Sequence, residues 1–156
     1  MLFQIDQVAT KHDAHTTPVR VEVSAYVLAC FQKMTGSDAI VATGNTGIAS
    51  AIKLSFLANC QDYKKQVAQK RKYLVLHTSH ANAVVLSYSD SHIKRVQNIL
   101  HAQCVGWMNG FINGYMMVSQ CSNSSAVRQW LKFIGIEEDD YPFETALMQW
   151  NRVKIS

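Results

Sequence analysis

Few residues in this chain are placed where chemistry would need them. His77-x-x-His80 brings two imidazoles near each other, and His12, His15 and His92 fall near other expected turns. No cysteine or carboxylate stands beside them at a ligand spacing, so they read as surface or capping residues and no metal is expected. Gly44-Asn-Thr-Gly47 precedes an apolar helical pattern and would offer backbone amides to an anion. It lacks the lysine of a nucleotide-binding loop and reads more simply as a tight turn. Ser89 to His92 opens another helix, whose first amides would face an anion with Lys94 and Arg95 close behind. There is no Gly-x-Ser-x-Gly elbow, and no cysteine carries a local catalytic signature.

The bulk properties bound what these residues serve. A chain of 156 residues with 48% apolar content is expected to form a single domain over 1–156 with one core. Its net charge of +4 is mild. Most of the excess lies in Lys64, Lys65, Lys70, Arg71 and Lys72, either a solvated face or a partner-contacting patch. Aromatic and basic residues do not interleave as in a stacking platform, so no nucleic-acid partner is expected. Cys30, Cys60, Cys104 and Cys121 form no Cys-x-x-Cys pair and sit in apolar patterns, as buried free thiols in a reducing compartment do. The N-terminus lacks the basic flank and apolar run of a signal peptide, and no stretch is apolar enough for a membrane span.

The elements follow from periodicity. Alternation predicts a strand over 2–8. Thr16 or Thr17 before Pro18 predicts a helix start, and Val19, Val23, Tyr26, Val27, Cys30, Phe31 and Met34 give it one apolar stripe, closed by Gly36. Asp38 to Val41 is a short extension. A second helix carries Ile48 to Leu57, and 62–70 is polar. Tyr73 to Leu76 and Val84 to Tyr88 read as two strands of a hairpin turning at Thr78 to Asn82. Ser89 or Asp90 caps a helix carrying Ile93 to Met108 that stops near Gly110. Phe111 to Gly114 turns into a strand over 115–119. A helix over 126–134 ends at Gly135, the acidic run Glu137 to Asp140 is exposed, and Phe143 to Ile155 reads as a last strand. The predicted class is α/β (α+β), a mixed central sheet flanked by helices in the order β-α-α-β-β-α-β-α-β.

The run from Ser119 to Ile136, with Asn123, Arg128, Trp130-Leu-Lys132 and Ile134-Gly135, resembles the second conserved stretch of the GNAT superfamily of N-acetyltransferases. Within it the chain looks most like the acetyltransferase-like internal virion proteins of short-tailed bacteriophages. The resemblance covers roughly residues 73–155. It implies a V-shaped opening between strands at 84–88 and 115–119, with a coenzyme cradle at Tyr88, Ser89, Ser91, His92, Lys94, Arg95 and Asn123. It also implies acetyl-coenzyme A as cofactor if the chain is active. Glu22 and Glu144 are candidate bases, and Tyr115 a candidate acid.

The departures from the pattern argue against that chemistry. The family's tyrosine position is occupied here by Leu131, which cannot protonate a leaving thiolate. The coenzyme loop reads Tyr88-Ser-Asp-Ser-His-Ile-Lys-Arg95 without glycine, and Asp90 would repel a diphosphate. The expected role is therefore a catalytically degenerate, acetyltransferase-like protein that acts by protein–protein interaction. Its expected place is a phage particle or the host cytoplasm, with virion or host protein partners, no membrane, and self-association open. Trp107, Trp130 and Trp150 are candidate contact residues. The alternatives are an active N-acyltransferase, and a small inhibitor or binding module that acts on a host protein through the basic face.

Overall fold

The computed structural model describes residues 16–42, 48, 51–52 and 72–154. In chain order they form β1 (Thr16–Val23), α1 (Ala25–Thr35), β2 (Ala39–Val41), β3 (Lys72–Ser79), α2 (His80–Tyr88), α3 (Asp90–Ser119), α4 (Asn123–Ile134) and α5 (Phe143–Lys154). Ile48, Ala51 and Ile52 are also helical. The class is mixed α+β and rich in helix. The expected strand at 2–8, the turn at Gly44–Gly47, the polar segment 62–70 and most of the second helix lie outside the described residues.

Among the described residues the sheet has three strands, in the order β1-β3-β2. Central β3 pairs antiparallel with β1, Val21 opposite Leu74 and Val19 opposite Leu76, and parallel with β2, Ile40 opposite Leu76. Val21, Ile40, Leu74 and Leu76 face the core, while Arg20, Glu22 and Tyr73 point away. That is the two-residue alternation of a sheet with one covered face. Residues 16–23 were expected to start a helix and are instead a strand. Val19 and Val23 are four residues apart, a spacing that fits both periods, but Val21 between them is buried. Among the described residues β1 is an edge strand, where Pro18 has no ladder bond to lose on its outer side. Ser24 then starts α1, its hydroxyl accepting from the Val27 amide at 3.3 Å. Gly36 ends α1 at φ 70°, as expected, its amide donating to the Gln32 carbonyl.

Three further segments expected to be strands are helical. Residues 84–88 belong to α2, which Ser79 caps through the Asn82 amide and which buries Ala83 and Leu86. Residues 115–119 are the last turns of α3. Residues 143–154 form α5, with Phe143, Ala146, Leu147 and Trp150 turned inward at helical spacing. The predicted hairpin and the predicted 115–119 strand are therefore absent, and the splayed strands implied by the acetyltransferase resemblance are helices in this chain. The expected helix over 126–134 is present as α4. Ser122 caps it at the Ser125 amide, and Gly135 closes it at φ 70°.

α3 is the spine. Its 30 residues span roughly 45 Å at 1.5 Å per residue. Val96, Leu100, Cys104, Met108 and Ile112 recur every fourth residue, and all are buried. The helix runs straight through Gly106 and continues past Gly110 and Gly114, where it was expected to stop and turn. Three interior glycines cost about 1 kcal/mol each relative to alanine. Burying five large side chains contributes roughly 1.5–3 kcal/mol apiece, which outweighs that cost. α1, α4 and α5 pack on this spine, and β1 with α2 closes its N-terminal half.

Candidate interaction face and polar cleft

The residues singled out from the sequence do not converge. Ser89 and Ser91 to Arg95 stand at the start of α3, whereas Asn123 opens α4 beyond its far end, so the length of α3 separates the two halves of the expected coenzyme cradle. Ser89 is occupied in capping: its hydroxyl accepts from the His92 amide at 3.4 Å and bonds the His92 ring at 2.7 Å. Tyr88 is 83% exposed. Asn123 Oδ1 is buried with no hydrogen-bond partner. Of the catalytic candidates, Glu22 is on the outer face of β1, Tyr115 near the C-terminal end of α3, and Glu144 in the first turn of α5. Trp130 and Trp150 are core residues, not surface contacts, and Trp107 is half-buried. Lys72 pairs with Asp140 at 3.1 Å, while Lys64, Lys65, Lys70 and Arg71 lie outside the described residues. Among the described residues no cluster of metal-ligating side chains forms.

Two features emerge in their place. The first is the outer face of α3. Two residues on from each buried position, and so about 200° around the helix, stand Asn98, Ala102, Gly106, Gly110 and Gly114, with Val118 continuing the row, all exposed. A methyl group added at any of the three glycines would meet nothing within 4 Å. The face ends in Met117, 83% exposed, and Val118, 88% exposed. From Val96 to Val127 the chain contains no Asp, Glu, Lys or Arg, although 17% of all its residues are of these types. A surface helix normally carries its charges on the solvent side. This one carries none beyond Arg95, and no helix among the described residues is long and apolar enough to cross a membrane.

An aromatic ledge borders the same end. Phe111 stacks on Tyr115 at 5.9 Å and on Phe133 of α4 at 4.9 Å, with the Lys33 ammonium 4.9 Å above the Phe133 ring. Phe133 is 38% exposed. The signal for this face was present in the sequence as glycines every fourth residue within an uncharged run. Reading Gly110 as a stop conceals it.

The second feature is an open cleft of about 390 Å³ where the end of β1 and the start of α1 meet α3. Glu22, Ser24, Gln97, Asn98 and His101 line it above Val23 and Val27. Glu22 alone of these was a sequence candidate. Gln97 donates to the Glu22 carbonyl at 2.7 Å. His101 Nε2 is 3.2 Å from the Gln149 amide nitrogen, and Tyr141 donates to Gln149 Oε1 at 2.6 Å. With that amide nitrogen donating, His101 Nε2 accepts, which leaves the ring proton on Nδ1. The cleft is therefore held by side chains of α3 and α5 together.

Beneath the cleft lies a buried group of hydroxyl and sulfur atoms. Trp130 Nε1 donates to the Tyr26 hydroxyl at 3.2 Å, which in turn donates to Met108 Sδ at 3.7 Å. Tyr26 stacks on Tyr141 at 4.3 Å. Cys30 and Cys104 are fully buried, and Cys104 Sγ reaches the Val27 carbonyl at 4.0 Å. Contact with Cys30, then burial, pushes the Cys104 thiol far above the ordinary thiol range. Burial raises the Tyr26 hydroxyl well beyond a free tyrosine. Burial, reinforced by the nearby Cys30 and Cys104, lifts Tyr141 to about 12. These groups are neutral at physiological pH, and none is poised as a nucleophile or base.

No family model matches the chain, and no curated protein or solved structure matches it either.

Proposed function

We propose that the protein acts by protein–protein interaction and receives an uncharged, small-residue helix of a partner protein along the outer face of α3. One observation carries this reading: an exposed helix face without formal charge, smoothed by Gly106, Gly110 and Gly114 and ended by Met117 and Val118. Interface cores are depleted of charge, and glycine at every fourth position lets two helix backbones approach closely. The glycines weaken the helix and relieve no crowding among the described residues, which supports a use in contact with a partner. The reading keeps the interaction role expected from the sequence. It assigns no residue to acyl transfer, because the candidate acid, the candidate bases and the two halves of the coenzyme cradle stand on separate elements. A virion or host partner is equally compatible with the face.

Site-specific photo-crosslinking tests the proposal. A photoreactive residue at Gly110 in the full chain should give discrete adducts in the native cell. The same residue at Glu138, in the exposed acidic turn, should not. Adducts of the chain with itself in purified protein would identify the partner helix as α3 of a second copy. Equal, diffuse labelling from positions 110 and 138 would remove the proposal.

A further inference from the structure

We propose that the polar cleft binds a small primary alkylamine in its ammonium form, the ammonium held by Glu22, Gln97 and Asn98 and the alkyl body laid on Val23 and Val27. The cleft holds about 390 Å³, within the size range of small-ligand sites. Its lining has the composition of such a site, an apolar floor with a few polar groups from separate elements set around it. Most of those groups are fixed before a ligand arrives. The Gln97 amide nitrogen donates to the Glu22 carbonyl at 2.7 Å, the Ser24 hydroxyl accepts from the Val27 amide at 3.3 Å, and His101 is held through Gln149 by Tyr141. A lining already ordered spares the ligand the entropy of ordering it.

The charge of the lining selects the ligand. Among the described residues that line the cleft, Glu22 alone carries a formal charge, and no lysine or arginine joins it. His101 adds no positive charge while its Nε2 accepts from the Gln149 amide. The cleft therefore attracts a cation and disfavours phosphates and carboxylates. A carboxylate has about four acceptor sites, so Glu22 can take an ammonium beside its other donors. A primary ammonium has several N–H donors and needs more than one acceptor. Gln97 commits its amide nitrogen to the Glu22 carbonyl and so offers its amide oxygen, and Asn98 offers another. A quaternary ammonium has no N–H to give these acceptors. Nor does the lining include a tyrosine, tryptophan or phenylalanine among the described residues, whose ring face would hold such a cation.

The experiment titrates the full chain with butylammonium at neutral pH and constant ionic strength, following side-chain amide and imidazole signals by heteronuclear NMR. The expected result is saturable binding in the millimolar range, with shifts at Gln97, Asn98 and His101. Butyrate and tetramethylammonium should leave those signals in place. Glu22→Gln, a substitution of similar shape at an exposed position, should weaken binding about tenfold or more, as loss of a hydrogen bond to a charged group does. Linear, unsaturated shifts up to about 100 mM butylammonium would overturn the proposal. So would equal binding of butyrate or tetramethylammonium, or unchanged affinity in folded Glu22→Gln protein. Tighter binding of acetyl-lysine amide than of butylammonium would also overturn it, because the occupant would then be a protein side chain. The titration of the unmutated chain decides the matter even where the variant fails to fold.

Discussion

Replacing Gly106, Gly110 and Gly114 with alanine together should make the protein more stable while weakening its docking. Each glycine sits in the interior of α3 with open space where a methyl group would project. Alanine gains about 0.8–1 kcal/mol over glycine at such a position, largely because it has fewer unfolded conformations to lose. Three independent sites give about 2.5–3 kcal/mol. For a chain of 156 residues, each kcal/mol moves the melting temperature by about 2–4 °C, so the triple variant should melt roughly 5–12 °C higher. Differential scanning calorimetry on dilute protein measures this directly, with far-UV circular dichroism confirming unchanged helix content. The same methyl groups stand where a partner backbone must approach, so crosslinking from neighbouring Asn113 should fall. A melting temperature that is unchanged or lower would refute the reasoning, because it would mean that the glycines already face a close neighbour in the isolated chain.

Other consequences are smaller or more local. Tyr26→Phe removes the hydroxyl that accepts from Trp130 and leaves a buried indole donor unpaired, so urea denaturation should show a loss of about 1–3 kcal/mol. Ser122→Ala deletes the cap of α4 and should cost about 1 kcal/mol in the same assay, whereas Lys72→Ala breaks an exposed ion pair and should cost less than about 1 kcal/mol. Tyr141 should ionise near pH 12 in a spectrophotometric titration, against 10 for a free tyrosine. Its folded value lies above its unfolded one, so its contribution to stability is complete below pH 10 and is lost as pH rises from 10 to about 12, an interval in which Tyr141→Phe should flatten the pH dependence of unfolding.

The sequence revealed most where a pattern was long and capped. α4 was legible from the spacing of Ala126, Val127, Trp130, Leu131 and Ile134 and from Gly135, and α1 from Tyr26 onward for the same reason. Central β3 stood out as the apolar run Tyr73 to Leu76. The misreadings share a physical cause: short apolar runs do not declare their period. Val84-Val-Leu-Ser-Tyr88 has strand-like composition, yet Ser79 caps it into a helix that buries Leu86. Tyr115-Met-Met-Val118 looks like a strand only if Gly110 and Gly114 end the helix before it. Packing of Met108 and Ile112 carries α3 past both. In α5 the inward spacing of Phe143, Ala146, Leu147 and Trp150 is helical, whereas Phe143 to Ile155 was read as the last strand of the sheet. Of the candidate sites, Glu22 alone proved to line a cleft. His101 was missed because its partner Gln149, itself held by Tyr141 just before α5, comes from α5, which no local pattern could bring to it.

The register of β3 carries a consequence for how the molecule assembles. Its flanking strands come from well upstream in the chain, and Ile40 lies parallel to Leu76, which a tight hairpin cannot achieve. The C-terminal helices, by contrast, meet neighbours only a short connection away: α3 turns into α4 through Gln120 to Ser122. Contacts close in sequence form early, and distant ones wait for the chain to find itself. The helical hairpin is thus the part able to organise first, while the ribbons that shape the cleft settle late against a surface already in place.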